Sequence, residues 1–144
     1  MDEKFKIILM IKKLIESYDK LEFNSKHELK LKDDVLKEGY YILKITYIAN
    51  DSYNIERKQE IQIEILSRIK FLEYLTSKLN ISDKEYQKYL YDLNVLSKYI
   101  QNWIKYSKKA GVKSSVPRTL WTGTRITVTS TTTIARIRMA FAKL

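Results

Sequence analysis

Cysteine is absent from this chain, histidine occurs once, at His27, and proline once, at Pro117. Only Gly39, Gly111 and Gly123 supply glycine in 144 residues. Each scarcity removes a class of chemistry. Without cysteine there are no disulfides, thiolate nucleophiles or cysteine-based metal sites, and the chain fits a reducing compartment, so the cytoplasm is the expected location. One histidine cannot supply the Glu-x-x-His motif that di-iron bundles repeat on two helices. The glycines stand too far apart for a phosphate-cradling loop. No 18 apolar residues run together, so no membrane span is expected. Lys4, Lys6, Lys12 and Lys13 interrupt the apolar N-terminal stretch, and no small-residue cleavage site follows, so a signal peptide is not expected in this stretch.

What is present is apolar content of 44%, enough to close one core without staples. The net charge of +10 is unevenly placed. Residues 1–107 carry 19 Lys and Arg against all 17 acids, whereas residues 108–144 carry 8 basic residues and no acid. Most of the positive charge therefore sits in the C-terminal tail.

Few helix breakers precede Pro117, and four long helices are predicted. The first, about Glu3 to Leu21, repeats Ile7, Ile8, Ile11, Leu14, Ile15 and Tyr18 at steps of three and four, with Lys and Glu on the other face. Ser25 and Glu28 stand at capping-box spacing and open the second helix. It carries Leu29, Leu36 and Leu43 at heptad spacing beside Tyr40 and Tyr47, and stops near Asn50-Asp51-Ser52. Gly39 in its middle costs about 1 kcal/mol relative to alanine and suits close helix packing. The third helix, about Asn54 to Leu79, repeats Ile61, Ile65, Ile69, Leu72 and Leu79. Ile63, Leu66, Phe71 and Leu75 widen that arc beyond what one core needs. Ser82 and Glu85 form a second capping box. The fourth helix then presents Tyr86, Tyr89, Leu90, Leu93, Leu96, Ile100, Trp103 and Ile104.

Helices of roughly 30 to 38 Å joined by short connections pack as antiparallel neighbours. The expected fold is all-α, an antiparallel up-down-up-down four-helix bundle over residues 1–111. A basic, threonine-rich, irregular or disordered tail follows over residues 112–144. The alternation Arg125-Ile126-Thr127-Val128-Thr129 reads as a strand, but one strand without a partner is unstable.

No catalytic constellation is legible, and an enzyme is not expected. His27 in a helical first turn reads as a solvated residue. Asp33-Asp34 and Glu60 with Glu64 are the candidate acid pairs, yet Glu64 precedes Arg68 by four residues, the arrangement of a surface ion pair. Many lysines and eleven tyrosines suit nucleic-acid backbone contact or protein association. Because the first 107 residues are almost neutral, any binding by the body requires its basic residues to gather on one face.

The segment Leu96-Ser97-Lys98-Tyr99-Ile100-Gln101-Asn102-Trp103-Ile104-Lys105, followed by Lys108-Lys109-Ala110-Gly111, resembles the accessory variability determinant family of diversity-generating retroelements. So do Tyr47-Ile48-Ala49-Asn50, Phe71-Leu72-Glu73-Tyr74-Leu75 and Ile81-Ser82. The resemblance covers about residues 5 to 111, in order. It implies a homopentamer of four-helix bundles that binds a reverse transcriptase and RNA or DNA through a basic surface, without cofactor, metal or catalysis. Candidate phosphate contacts are Arg57, Lys58, Arg68, Lys70, Lys98, Lys105, Lys108 and Lys109. Ile63, Leu66, Phe71, Tyr74 and Trp103 are the candidate oligomer or partner interface. The alternative is a structural oligomeric scaffold similar to the bundles encoded within ribosomal RNA intervening sequences, which binds protein only. The resemblance also offers an account of the tail, either a functional basic segment or an out-of-frame reading of an overlapping template repeat, in which displaced asparagine codons become threonine and isoleucine. Reading codons 118 to 144 in the displaced frame checks this.

Overall fold

The computed structural model describes residues 3–109. Four helices occupy nearly all of them: α1 (Glu3–Asp19), α2 (Lys26–Asp51), α3 (Ile55–Ser77) and α4, from residue 83 to 109. The expected tail over residues 112–144 lies outside the described residues.

The helix starts follow from side chains that satisfy otherwise unpaired N–H groups. Ser25 Oγ accepts the Glu28 N–H at 3.1 Å, and Asn54 Oδ1 accepts the Arg57 N–H at 3.0 Å. At α4, Ser82 Oγ accepts the Glu85 N–H at 3.2 Å and donates to Glu85 Oε1 at 3.1 Å. The Glu28 carboxylate accepts instead from Asn80 Nδ2 at 3.2 Å, which ties the start of α2 to the segment after α3. Lys32 Nζ donates to the Asp19 and Leu21 carbonyls at 2.8 and 2.7 Å, occupying acceptors left free where α1 ends.

Long-range contacts pair the beginning of one helix with the end of its chain neighbour. Asn80 with Glu28 does so for α3 and α2, and Gln62 Nε2, donating to Ser107 Oγ at 3.1 Å, does so for α3 and α4. Ser17 and Tyr89, whose hydroxyls lie 3.0 Å apart, bring the end of α1 to the start of α4. These are the pairings that the expected up-down-up-down order calls for.

The core takes Ile7, Ile11, Leu14, Ile15 and Tyr18 from α1, and its α4 stripe is the expected one: Tyr89, Leu93, Leu96, Ile100, Trp103 and Ile104. Tyr18 stacks on Tyr89 with ring centroids 4.3 Å apart. Its hydroxyl lies 2.7 Å from Thr76 Oγ1, which gives its own proton to the Leu72 carbonyl, so Tyr18 is the donor. Burial pushes both phenols above their ordinary range. Gly39 sits where α1 and α2 approach, since a Cβ there would lie 3.0 Å from Ile15 Cγ1.

Two expectations about buried faces need correction. On α2 the buried line is Val35, Ile42 and Ala49 with Gly39, Ile45 and Thr46, not the leucine heptad. The small residues let α1 close in, so the bulkier series is rotated to the rim. Leu29 and Tyr40 are 48% and 59% exposed, Tyr47 is exposed, and Leu36 and Leu43 are partly buried. On α3 the arc offered as an interface is interior, for Ile63, Leu66 and Leu75 are buried in this chain's own core. The reason is that α3 touches all three other helices. Thr76 meets α1, Arg68 meets α2 through Glu38, and Gln62 meets α4. Only Phe71 and Tyr74 of the arc face solvent, with ring centroids 6.3 Å apart. No described helix is long and apolar enough to cross a membrane.

Candidate nucleic-acid interface

The buried stripe of α4 dictates what the opposite face can hold. Lys84, Lys88, Tyr91, Val95, Lys98, Asn102, Lys105 and Lys109 follow one another at steps of four and three, which places them along one side of the helix. All but the half-buried Val95 are exposed. The row covers 26 residues, 25 helical steps from Lys84 to Lys109, or about 37 Å of helix axis. None of its lysines has an ion pair among the described residues, nor does Lys108. The three acids of the helix, Asp83, Glu85 and Asp92, fall outside the row.

Asp92 is also the last acid of the chain. Residues 1–92 hold 17 basic and 17 acidic residues, and residues 93–144 hold 10 basic residues and no acid. The whole net charge of +10 therefore begins within α4. Such a row concentrates positive potential where an extended polyanion can follow it, and the charges need not be pulled from existing partners first.

The expected phosphate contacts divide between this row and other places. Lys98, Lys105, Lys108 and Lys109 are exposed on the second half of α4. Arg57, exposed in the first turn of α3, lies at the same end of the bundle, because Gln62 and Ser107 join those two helix ends. Lys70 is exposed farther along α3. Lys58 is half-buried and already engaged within the chain.

Arg68 is a correction. Its Nη1 donates to Glu38 Oε1 at 3.1 Å, its Nε lies 3.7 Å from Glu64 Oε2, and its guanidinium stacks on the Tyr41 ring at 4.3 Å. Tyr41 in turn donates to Glu64 Oε2 at 2.9 Å. Binding a phosphate would strip a carboxylate that is only 8% exposed of its partner. Arg68 clamps α2 to α3. Arg68→Ala is expected to lower stability by about 2 kcal/mol, less than a fully buried pair would give because the arginine is 40% exposed. Urea denaturation measures that loss, and nucleic-acid affinity should stay within about twofold.

Trp103 is the second correction among the site residues. It is 1% exposed, enclosed between the helices rather than offered to a partner. Of the expected interface only Phe71 and Tyr74 reach the surface, and Lys78 Nζ covers the Tyr74 ring at 5.2 Å.

The candidate acid and base residues are dispersed. His27 is exposed at the start of α2, Asp33 pairs with Lys37 at 3.0 Å, and Glu64 serves Tyr41 and Arg68. Among the described residues no three or more His, Cys, Asp or Glu side chains converge to hold a metal. A void among Ile11, Ile15, Tyr18, Gly39, Ile42 and Leu96 amounts to about 10 Å³, too small for a substrate.

Compared with family models, curated proteins and solved structures, the chain matches none of them. Its functional reading rests on the α4 row and on the resemblance in the residues themselves. The row includes Lys84, Lys88 and Tyr91, which do not figure among the expected contacts. Their signal is the unbroken three-and-four spacing that continues back from the acid-free segment after Asp92.

Proposed function

We propose that this chain is a non-catalytic nucleic-acid-binding accessory protein, and that α4 carries the binding surface. The supporting observation is the α4 row, five lysines without ion partners among the described residues in a row that itself holds no acid, with Glu85 and Asp92 flanking it at Lys88. Its chemistry suits the phosphate backbone of RNA or DNA. The resemblance to accessory variability determinants adds the context, a diversity-generating retroelement in which a reverse transcriptase is the protein partner and template RNA or its DNA copy is the ligand. Homopentamer formation belongs to this proposal and rests on the resemblance, and a cytoplasmic setting belongs to it and rests on the absence of cysteine. The α3 arc no longer argues for assembly, since most of it is spent inside the bundle.

Salt dependence tests the reading. Five lysine–phosphate contacts on a single strand give a slope of log affinity against log salt of about −3.5, so affinity should fall roughly a hundredfold between 50 and 200 mM salt. Fluorescence anisotropy with labelled RNA measures it, and an affinity indifferent to salt would sink the proposal.

The second reading, a scaffold that binds protein alone, is favoured by the exposed Leu29, Tyr40 and Tyr47 on α2. A chain that retains the reverse transcriptase yet holds neither RNA nor DNA would support it instead.

A further inference from the structure

The tyrosines of the surface fall into two groups. Tyr41, Tyr47, Tyr74 and Tyr99 each carry a cation of this chain over the ring, Arg68 at 4.3 Å, Lys12 at 5.8 Å, Lys78 at 5.2 Å and Lys6 at 5.9 Å respectively. Of the other exposed tyrosines, Tyr40, Tyr53, Tyr91 and Tyr106 have no such cation and no hydrogen-bond partner among the described residues, and only Tyr91 and Tyr106, 69% and 65% exposed, belong to α4. Both stand on the solvent side of α4. Tyr91 lies within the lysine row, between Lys88 and Lys98, and Tyr106 borders it beside Lys105 and Lys109. They are fifteen residues apart, about 22 Å along the axis.

We propose that the α4 surface takes nucleic acid as a single strand, with unpaired bases stacked on Tyr91 and Tyr106 while the lysines hold the phosphates. This rests on the nucleic-acid reading above and narrows its substrate class. A duplex keeps its bases stacked on one another and offers an α-helical face only its backbone, so lysines alone would serve it and both rings would stand idle. A single strand presents aromatic faces and phosphates together. Aromatic rings alternating with unpaired cations are the means by which proteins bind such strands without reading sequence. The 37 Å row matches roughly eleven stacked nucleotides at 3.4 Å each.

The test uses the full chain, a labelled 12-nucleotide RNA without self-complementarity, and the same strand annealed to its complement. Single-strand affinity should exceed duplex affinity about tenfold. Tyr91→Ala with Tyr106→Ala should lower single-strand affinity about a hundredfold, roughly tenfold per ring, and leave duplex affinity unchanged. Phenylalanine at both positions should keep most of the binding, because the ring face is what stacks. Tyr40→Ala, on the rim of α2 at 59% exposure, is the control for an exposed tyrosine elsewhere and should have no effect. Helical circular dichroism should be unchanged in every variant.

Equal affinity for strand and duplex overturns this inference while leaving the nucleic-acid reading intact. Equal losses for both probes in the double variant, or a loss as large from Tyr40→Ala, do the same. Failure of the unmodified chain to retain either probe overturns both.

Discussion

Glutamate at Lys98, Lys105 and Lys109 together should lower affinity for single-stranded RNA about a thousandfold at 50 mM salt. Each lost lysine–phosphate contact removes about 0.7 from the salt slope of a single strand, so three remove roughly 2. At 50 mM salt that alone amounts to roughly five hundredfold, and the repulsion of three new carboxylates supplies the remainder. The slope itself should fall from about −3.5 to about −1.5. All three side chains are exposed, so stability should change by no more than about 0.5 kcal/mol each.

Net charge alone would weaken binding too, and a matched variant separates the two causes. Lys26, Lys30 and Lys44 are exposed on α2. Glutamate at those three positions changes the total charge identically and should cost less than tenfold. Equal losses from both triples would mean that the α4 row has no special part. Loss confined to the α4 triple would locate the binding on this one helix.

The helices were legible because their signals are local. Ser25 and Ser82 cap where their spacing places them, Asn54 caps the third helix at its expected start, and the α1 and α4 stripes are buried as the three-and-four periodicity predicts. Which of two adjacent stripes turns inward is a different matter, because it depends on a neighbour that local sequence does not contain. On α2 the leucine heptad and the Val35, Ile42 and Ala49 series are equally periodic. Gly39 decides between them by admitting Ile15 of α1 to a distance that a side chain would close. The width of the α3 arc likewise reflects contact with three helices rather than one.

The same distinction governs the site. Arg68 has the charge of a phosphate contact, but Glu38, thirty residues away in sequence, claims it across the helix interface. No local pattern announces that pair. The α4 row, by contrast, lies wholly within one helix and could be read from spacing. Dividing the charge at residue 107 conceals it, since that boundary leaves Lys84, Lys88, Lys98 and Lys105 in the near-neutral body and only Lys109 in the tail. Moving the boundary to Asp92 joins Lys98, Lys105 and Lys109 into one acid-free segment, and the helical spacing adds Lys84 and Lys88 before it.

Trp103 provides the sharpest test of where the interior of this fold ends. Trp103→Ala should destabilise the chain by about 4 kcal/mol, the usual cost of removing a buried indole and leaving a cavity that its neighbours fill only in part. For a domain whose total stability is on the order of 5–15 kcal/mol, that is a large fraction. The side chain is 1% exposed and belongs to the cluster that includes Ile100 and Ile104, so no partner molecule is needed to bury it. Urea denaturation at two protein concentrations tenfold apart should therefore show the same shift in midpoint at both. An interface tryptophan would behave otherwise, since its contribution appears only in the assembled form and grows with concentration. Trp103→Phe refines the point. The indole Nε1–H has no acceptor among the described residues, so phenylalanine discards a buried donor together with part of the ring. The two effects oppose each other, and the net cost should be roughly 1–2 kcal/mol. An alanine variant as stable as the parent at both concentrations would remove Trp103 from the core. A loss that appears only at the higher concentration would return it to an interface.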